Sequence, residues 1–126
     1  VKIMIKSNLL QIVEKIIAID SNMRFASIID LNGNIIEGIM KAGKTSLETQ
    51  KQEEYFCKQV AKRRKMRMEF NRQLGKVRYV HVEREKVTQF VIYTKRKIVF
   101  ITIEPELTIQ RKIRIINTIK RITANI

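Results

Sequence analysis

Leu9, Ile12, Val13, Ile16 and Ile17 recur at three- and four-residue spacing, with Lys6, Gln11, Glu14 and Lys15 between them. That period predicts a helix over about residues 4–18 with one apolar face, closed by Asp20-Ser21-Asn22. The pattern then turns strand-like. Residues 24–30 and 34–40 are rich in Ile and flank Leu31-Asn32-Gly33. Asn-Gly tolerates positive φ at both turn positions, so this pair reads as a β-hairpin.

A long helix follows over about residues 46–72. Thr45 and Glu48 have the spacing of a capping box, in which the hydroxyl and the carboxylate satisfy each other's backbone N–H groups. Phe56 and Val60, then Met66, Phe70 and Leu74, give apolar positions four apart, and Gly75 suits the left-handed residue that ends a helix. Residues 76–85, 88–94 and 97–104 are rich in Val, Ile, Tyr, Phe and Thr and read as three strands. The linkers Lys86-Val87 and Lys95-Arg96 are short, so the strands should pair as an antiparallel meander. Pro105 stops the last one. Residues 107–123 predict a final helix with an apolar stripe of Ile109, Ile113, Ile116, Ile119 and Ile122 beside a basic face of Arg111, Lys112, Arg114 and Arg121. The predicted order is α-β-β-α-β-β-β-α: a five-stranded antiparallel sheet with three helices packed on it, an α+β fold in two or three layers.

Composition narrows this. At 126 residues the chain has room for one domain with its own core, and 44% hydrophobic residues argue against disorder. One domain is expected over 1–126, with the N-terminal helix at about 4–18 and the main body at about 23–123. Cys57 is the single cysteine and His81 the single histidine. No internal disulfide can form, which suits a reducing compartment, and no structural zinc site can be built from one of each. No metal or cofactor is expected. The run from Val1 to Ile5 is too short and too interrupted for a signal peptide or a membrane span, which makes the cytoplasm the expected location. Val1 in place of Met suggests a trimmed start.

Charge changes the picture most: 26 Lys and Arg stand against 12 Asp and Glu, a net +14. Residues 1–42 carry +1, residues 43–84 carry +7 and residues 85–126 carry +6. Such an excess favours polyanionic partners. Lys62, Arg63, Arg64, Lys65 and Arg67 form the densest run. On a helix those five point in almost every direction, so the run makes a surface knob able to neutralise phosphates. It serves equally as cations complementing the helix's own C-terminal dipole. Arg111, Lys112 and Arg114 add a second basic stripe. Gly38, Gly43, Lys44 and Thr45 fit the phosphate-loop pattern G-x-x-x-x-G-K-[ST] between a strand and a helix. Against it stand the bulky intervening residues and a sheet that reads as antiparallel. Asp30 and Glu104 are the only acidic residues placed to hold a metal there. Tyr79, His81 and Glu83 alternate along one strand face. With 6% aromatics and no Trp, stacking platforms for single-stranded nucleic acid are scarce. Phe90, Tyr93 and Cys57 are expected in or near the core.

The strand and helix order resembles the roadblock/profilin-like fold. Two stretches carry a closer likeness: Arg24-Phe25-Ala26 with Ile29-Asp30 and Gly33 to Gly38, then Leu74 to Phe90. There the chain looks like a family of uncharacterised small proteins of ammonia-oxidising archaea, over roughly residues 23–122. The resemblance implies a cytoplasmic archaeal protein and carries no catalytic residue. Roadblock-like domains dimerise through sheet edges and helices and serve as platforms for small GTPases or signalling partners. The expectation is therefore a non-catalytic, basic interaction module that binds a protein partner and forms a homodimer. A nucleic-acid-binding protein using the long basic helix is the rival. A nucleotide-binding protein using Gly38 to Thr45 is the third reading.

Overall fold

A computed structural model describes residues 7–126. The elements in chain order are α1 (Asn8–Ile17), β1 (Met23–Ile29), β2 (Ile35–Met40), α2 (Gln50–Met68), α3 (Asn71–Leu74), β3 (Tyr79–Glu83), β4 (Thr88–Tyr93), β5 (Ile98–Ile103) and α4 (Ile109–Ile122). All five strands form one antiparallel sheet in the order β2-β1-β5-β4-β3. The α+β architecture matches expectation, with four helices rather than three.

The side-chain alternation of the strands divides the core in two. One face presents Ala26, Ile28, Phe90, Ile92, Val99 and Ile101 to α1 and α4, which bury Ile12, Val13, Ile16 and Ile17 and Ile115, Ile116 and Ile119 against them. The other face presents Ile29, Val91, Ile98 and Phe100 to α2, which buries Cys57, Val60 and Ala61. The fold is thus three layers deep. Burying each Ile or Phe contributes about 1.5–3 kcal/mol, and both faces of β4 and β5 are covered, so these strands read as nearly unbroken apolar runs.

The boundaries differ from expectation in ways that have causes. Ser7 caps α1 by accepting from the Leu10 N–H (3.1 Å); the expected residues 4–6 of that helix lie outside the described residues. The cap of α2 is Thr49 with Gln52, not Thr45 with Glu48: Thr49 Oγ1 accepts from the Gln52 N–H (3.2 Å), and Gln52 Oε1 accepts from the Thr49 N–H (2.8 Å). Both pairs have capping-box spacing, and Ser46 and Glu48 bind each other in a local turn instead. At the far end, Glu69 and Phe70 bond three residues back, to Met66 and Arg67. This tightening separates α3 from α2, and Gly75 ends α3 at φ 83°.

The β1–β2 turn uses positive φ only at Gly33 (φ 86°). Gly33 N–H bonds the Asp30 carbonyl, and the Asp30 N–H bonds the Asn34 carbonyl, giving a three-residue loop with a left-handed glycine. The glycine is required twice over. A Cβ there would stand 2.7 Å from the Cys57 carbonyl oxygen, because α2 rests on this turn. In β3 the ladder covers only Tyr79–Glu83, paired with Thr88–Ile92 of β4, so residues 76–78 lie outside it.

Candidate interaction surface

α2 packs with an unusual inner stripe. Cys57, Val60 and Ala61 are buried, but the same face continues into Arg64 and Arg67, which are half-buried. Arg64 donates to the Thr94 and Lys97 carbonyls and lies 5.0 Å over the Tyr93 ring, closing the β4–β5 turn. Burial draws its pKa down. Arg67 donates to Tyr93 Oη (2.8 Å). Of the five-residue basic run, these two are structural clamps, and Lys62, Arg63 and Lys65 remain at the surface.

Met66 breaks the four-residue spacing of Phe56 and Val60 and comes out on the outward side of α2, while Phe70 and Leu74 lie beyond its end. Met66 follows Val60 by six residues, most of the way round a helix from it. Tyr55 and Met66 are three turns apart and share an outward stripe; Tyr55 is 67% exposed, Met66 56%, Phe70 58% and Leu74 81%. β3 is an edge strand paired on one side only. Phe56, Val60, Arg63 and Arg67 of α2 border a shallow groove with Val80 and Val82 of β3, so the flank of α2, about a quarter-turn from the Tyr55–Met66 stripe, faces the open edge. Sequence reading missed Tyr55. The signal was available: an aromatic eleven residues before Met66, on a helix whose sheet-facing positions were already filled.

The row of Tyr79, His81 and Glu83 is not a free ligand face. His81 packs edge-on against Phe90 (4.8 Å) and meets Glu83 Oε1 at 2.6 Å. Lys120 lies 5.7 Å over the Tyr79 ring, and Lys112 donates to Glu83 Oε1 (2.7 Å) and to the Pro105 carbonyl (3.0 Å). Burial alone would raise Glu83, but the hydrogen bonds from Lys112, Thr88 and His81 outweigh it and hold the carboxyl at about 2. The row ties the edge strand to α4.

The second basic stripe is rearranged accordingly. Lys112 was expected on the exposed face of the last helix and is only 3% exposed, while Ile109 and Ile113 face solvent. Counting back from Ile119 in helical steps, 116, 115 and 112 share the inner face. Arg111 forms a two-pronged bond with Asp20 (2.7 Å from Nε and 2.7 Å from Nη2), which, against the effect of burial, lowers the Asp20 pKa. Arg114 is exposed. α2 and α4 cover opposite faces of the sheet, so the two basic groups do not merge into one patch.

The phosphate-loop residues are also accounted for. Gly38 lies within β2, where a Cβ would stand 3.2 Å from the Phe25 ring. Gly43 (φ 82°) sits in a turn closed by the Lys44 N–H on the Lys41 carbonyl. Lys44 Nζ donates to Glu104 Oε1 (2.8 Å), which also accepts from Arg24 (2.8 Å), and Arg24 in turn donates to the Thr45 carbonyl (2.7 Å). The Lys44 bond, opposed by burial and aided by Arg24, lowers the Glu104 pKa. Asp30 accepts from the Asn32 and Asn34 N–H groups inside the hairpin turn. α2 begins at Gln50, so its N-terminal N–H groups do not adjoin Lys44 and Thr45. Cys57 is buried as expected, its thiol pushed up to about 12 by that burial and by Glu53, Glu48 and Glu54. Among the described residues, no group of His, Cys, Asp and Glu is placed to hold a metal ion, and no helix is long and apolar enough to cross a membrane.

With this geometry the chain is similar to solved roadblock-type and profilin structures. The gliding protein MglB of Thermus thermophilus superposes with a TM-score of 0.75 at 10% identity, over 93% of this chain and 86% of that one. MglB of Myxococcus xanthus gives 0.71 at 10%, over 92% and 91%. A Roadblock/LC7 domain of Streptomyces avermitilis gives 0.68 at 11%, over 91% and 93%. At such identities the likeness concerns the fold, and it supports the roadblock-like architecture. No curated protein matches the chain. At the level of sequence the match spans residues 2–124, nearly the whole chain, and by it this protein belongs to the family described as "Family of unknown function (DUF6659)".

Proposed function

We propose that this chain is a non-catalytic, basic interaction module that pairs with a second copy and presents the joint surface to a protein partner in the cytoplasm. The observation that carries the reading is the exposed apolar side chains, Tyr55 and Met66 on α2 and Phe70 just beyond its end, in a molecule whose β3 edge is unpaired. Exposed edges and large apolar side chains on a small domain are costly unless another chain covers them. The fold-level likeness to roadblock domains supports it, as does an MglB structure described as having a tetrameric arrangement (12% identity, TM-score 0.71). The test is light scattering of the purified protein at roughly 10–100 μM, a range in which modest self-association registers. A mass of two chains is expected, with Tyr55→Lys plus Phe70→Lys giving a folded monomer. A wild-type monomer throughout that range would refute the pairing.

A second reading has its own observation. Lys62, Arg63 and Lys65 are exposed together on α2, and Lys62 and Lys65 make no hydrogen bond or ion pair among the described residues. That knob suits a polyanion such as nucleic acid. Arg114 and the tethered Arg64, Arg67, Arg111 and Lys112 add general field rather than one docking face. Nucleotide binding through Gly38, Gly43, Lys44 and Thr45 is not adopted, because Lys44 is engaged by Glu104 and α2 starts beyond these residues.

A further inference from the structure

α2 does not cover the whole of its sheet face. Toward its N-terminus it leaves a cleft of about 650 Å³ between Glu53 and Phe56 of the helix, Phe25 and Met40, the ends of β4 and β5, and the β3–β4 turn. That volume falls within the range of small-molecule sites. Three phenyl rings build its floor: Phe56 and Phe100 lie 5.1 Å apart and Phe25 and Phe100 6.4 Å apart. Leu47 and Val87 extend the apolar lining from either side. The loop over the cleft is tied down, because Arg24 holds the Thr45 carbonyl and shares Glu104 with Lys44. The space is therefore framed by fixed groups rather than by a loose flap.

Charge decides what would fill it. Arg24 is neutralised by Glu104 (2.8 Å), and Arg84 donates its Nε–H to Gln89 Oε1 (2.9 Å). Glu53 lines the cleft half-buried, and its carboxylate makes no hydrogen bond or ion pair among the described residues. Glu48 stands in the same wall. Arg84 and Lys86 belong to an exposed turn at the rim, where water and salt screen them. A chain of net +14 thus keeps an uncompensated carboxylate facing an aromatic cleft. Burial, with the neighbouring Glu48 and Glu54, raises the Glu53 pKa, as expected of an anion short of a counter-ion.

We propose that this cleft binds a small amphipathic organic cation, an aryl or alkyl body carrying one ammonium or guanidinium group, with the body on Phe25, Phe56 and Phe100 and the head at Glu53. The rings attract the apolar body by burial, and Phe25 and Phe100 attract the cation by their quadrupoles, the Phe56 ring already carrying the Arg63 guanidinium 6.0 Å from its centre. The site lies on the inner side of α2, so it stands independently of the pairing surface.

The experiment is an amide NMR titration of the whole chain with 4-phenylbutylamine and, separately, 4-phenylbutyrate, which share a body and differ in charge. Saturable shifts centred on Phe56, Gln89 and Phe100 are expected, with the amine binding about tenfold tighter than the acid, the ratio that about 1.4 kcal/mol of ion pairing supplies. In Glu53→Gln the two affinities should converge to within about twofold, the same conversion applied to a lost pair. Leu47→Ala, at an exposed loop position, should weaken both probes alike and serves as the second variant should Glu53→Gln fail to fold. Absence of saturable shifts from the amine, equal affinities in the wild type, shifts centred elsewhere, or a preference that survives Glu53→Gln would each overturn the proposal.

Discussion

Glu83 shows how one side chain can hold two elements. It sits at the end of an edge strand, yet it gathers Lys112 of α4, Thr88 of β4 and His81 of its own strand. Its carboxyl titrates near about 2 in the folded chain against an ordinary 4.5. The unfolded chain therefore takes up a proton at higher pH than the folded one. The stabilisation is fully present above about pH 4.5 and is lost as pH falls toward 2. Glu83→Gln should cost about 1 kcal/mol at neutral pH, an amount reduced for the exposure of Glu83. The gap from wild type should close over that acid window in urea denaturation series. A gap independent of pH would show that packing, not charge, does the tying. Gly33 is a second case: no other residue has both the left-handed backbone and the room against the Cys57 carbonyl.

At the scale of elements, most of the fold was legible because periodicity and burial agree. The apolar face of α1, the five strands and the final helix all follow from residue spacing. Legibility failed where two sequence features compete for one role. Thr45 with Glu48 and Thr49 with Gln52 both have the capping spacing, and only the position of the helix on the sheet selects the second. Thr49→Ala should lower stability by about 1 kcal/mol, and Thr45→Ala, whose structural contact is its backbone carbonyl, by a few tenths at most. Chemical denaturation of the two variants separates them; equal losses would return the cap to Thr45. Legibility failed again in the C-terminal half of α2, where Arg64 and Arg67 extend the inward face and Met66 lies outward. A hydrophobicity pattern reads Arg64 and Arg67 as surface, because it has no knowledge that two carbonyls and a tyrosine wait at the β4–β5 turn. The cleft above Phe100 was invisible for a related reason: its lining comes from five separate segments of chain.

At the scale of the whole molecule, net charge did not translate into a single binding face. The runs that look alike in sequence are placed on opposite sides of the sheet, and about half their members are consumed by internal contacts. The nucleic-acid reading thereby becomes specific. Neutralising Lys62, Arg63 and Lys65 together to Gln should lower the slope of log affinity against log salt by about 2–3 if these side chains meet phosphates. Neutralising Arg114 should leave that slope within about one of its starting value. Fluorescence anisotropy with labelled duplex and single strands measures both, and equal slopes for all three proteins would reduce the charge to general surface character.

The strand order has one more consequence, for the way the chain comes into being. β1 and β2 form a hairpin from the first third of the sequence, and β3 and β4 form another from the second half, but the two never touch each other in the sheet. β5 lies between them, pairing with β1 on one side and β4 on the other. Neither hairpin has a complete face for its helix until Ile98–Ile103 has been made and inserted. Closure of the sheet is therefore a late, long-range event, the kind whose loop entropy slows folding. On the ribosome the two hairpins must wait unjoined until Ile98–Ile103 has emerged.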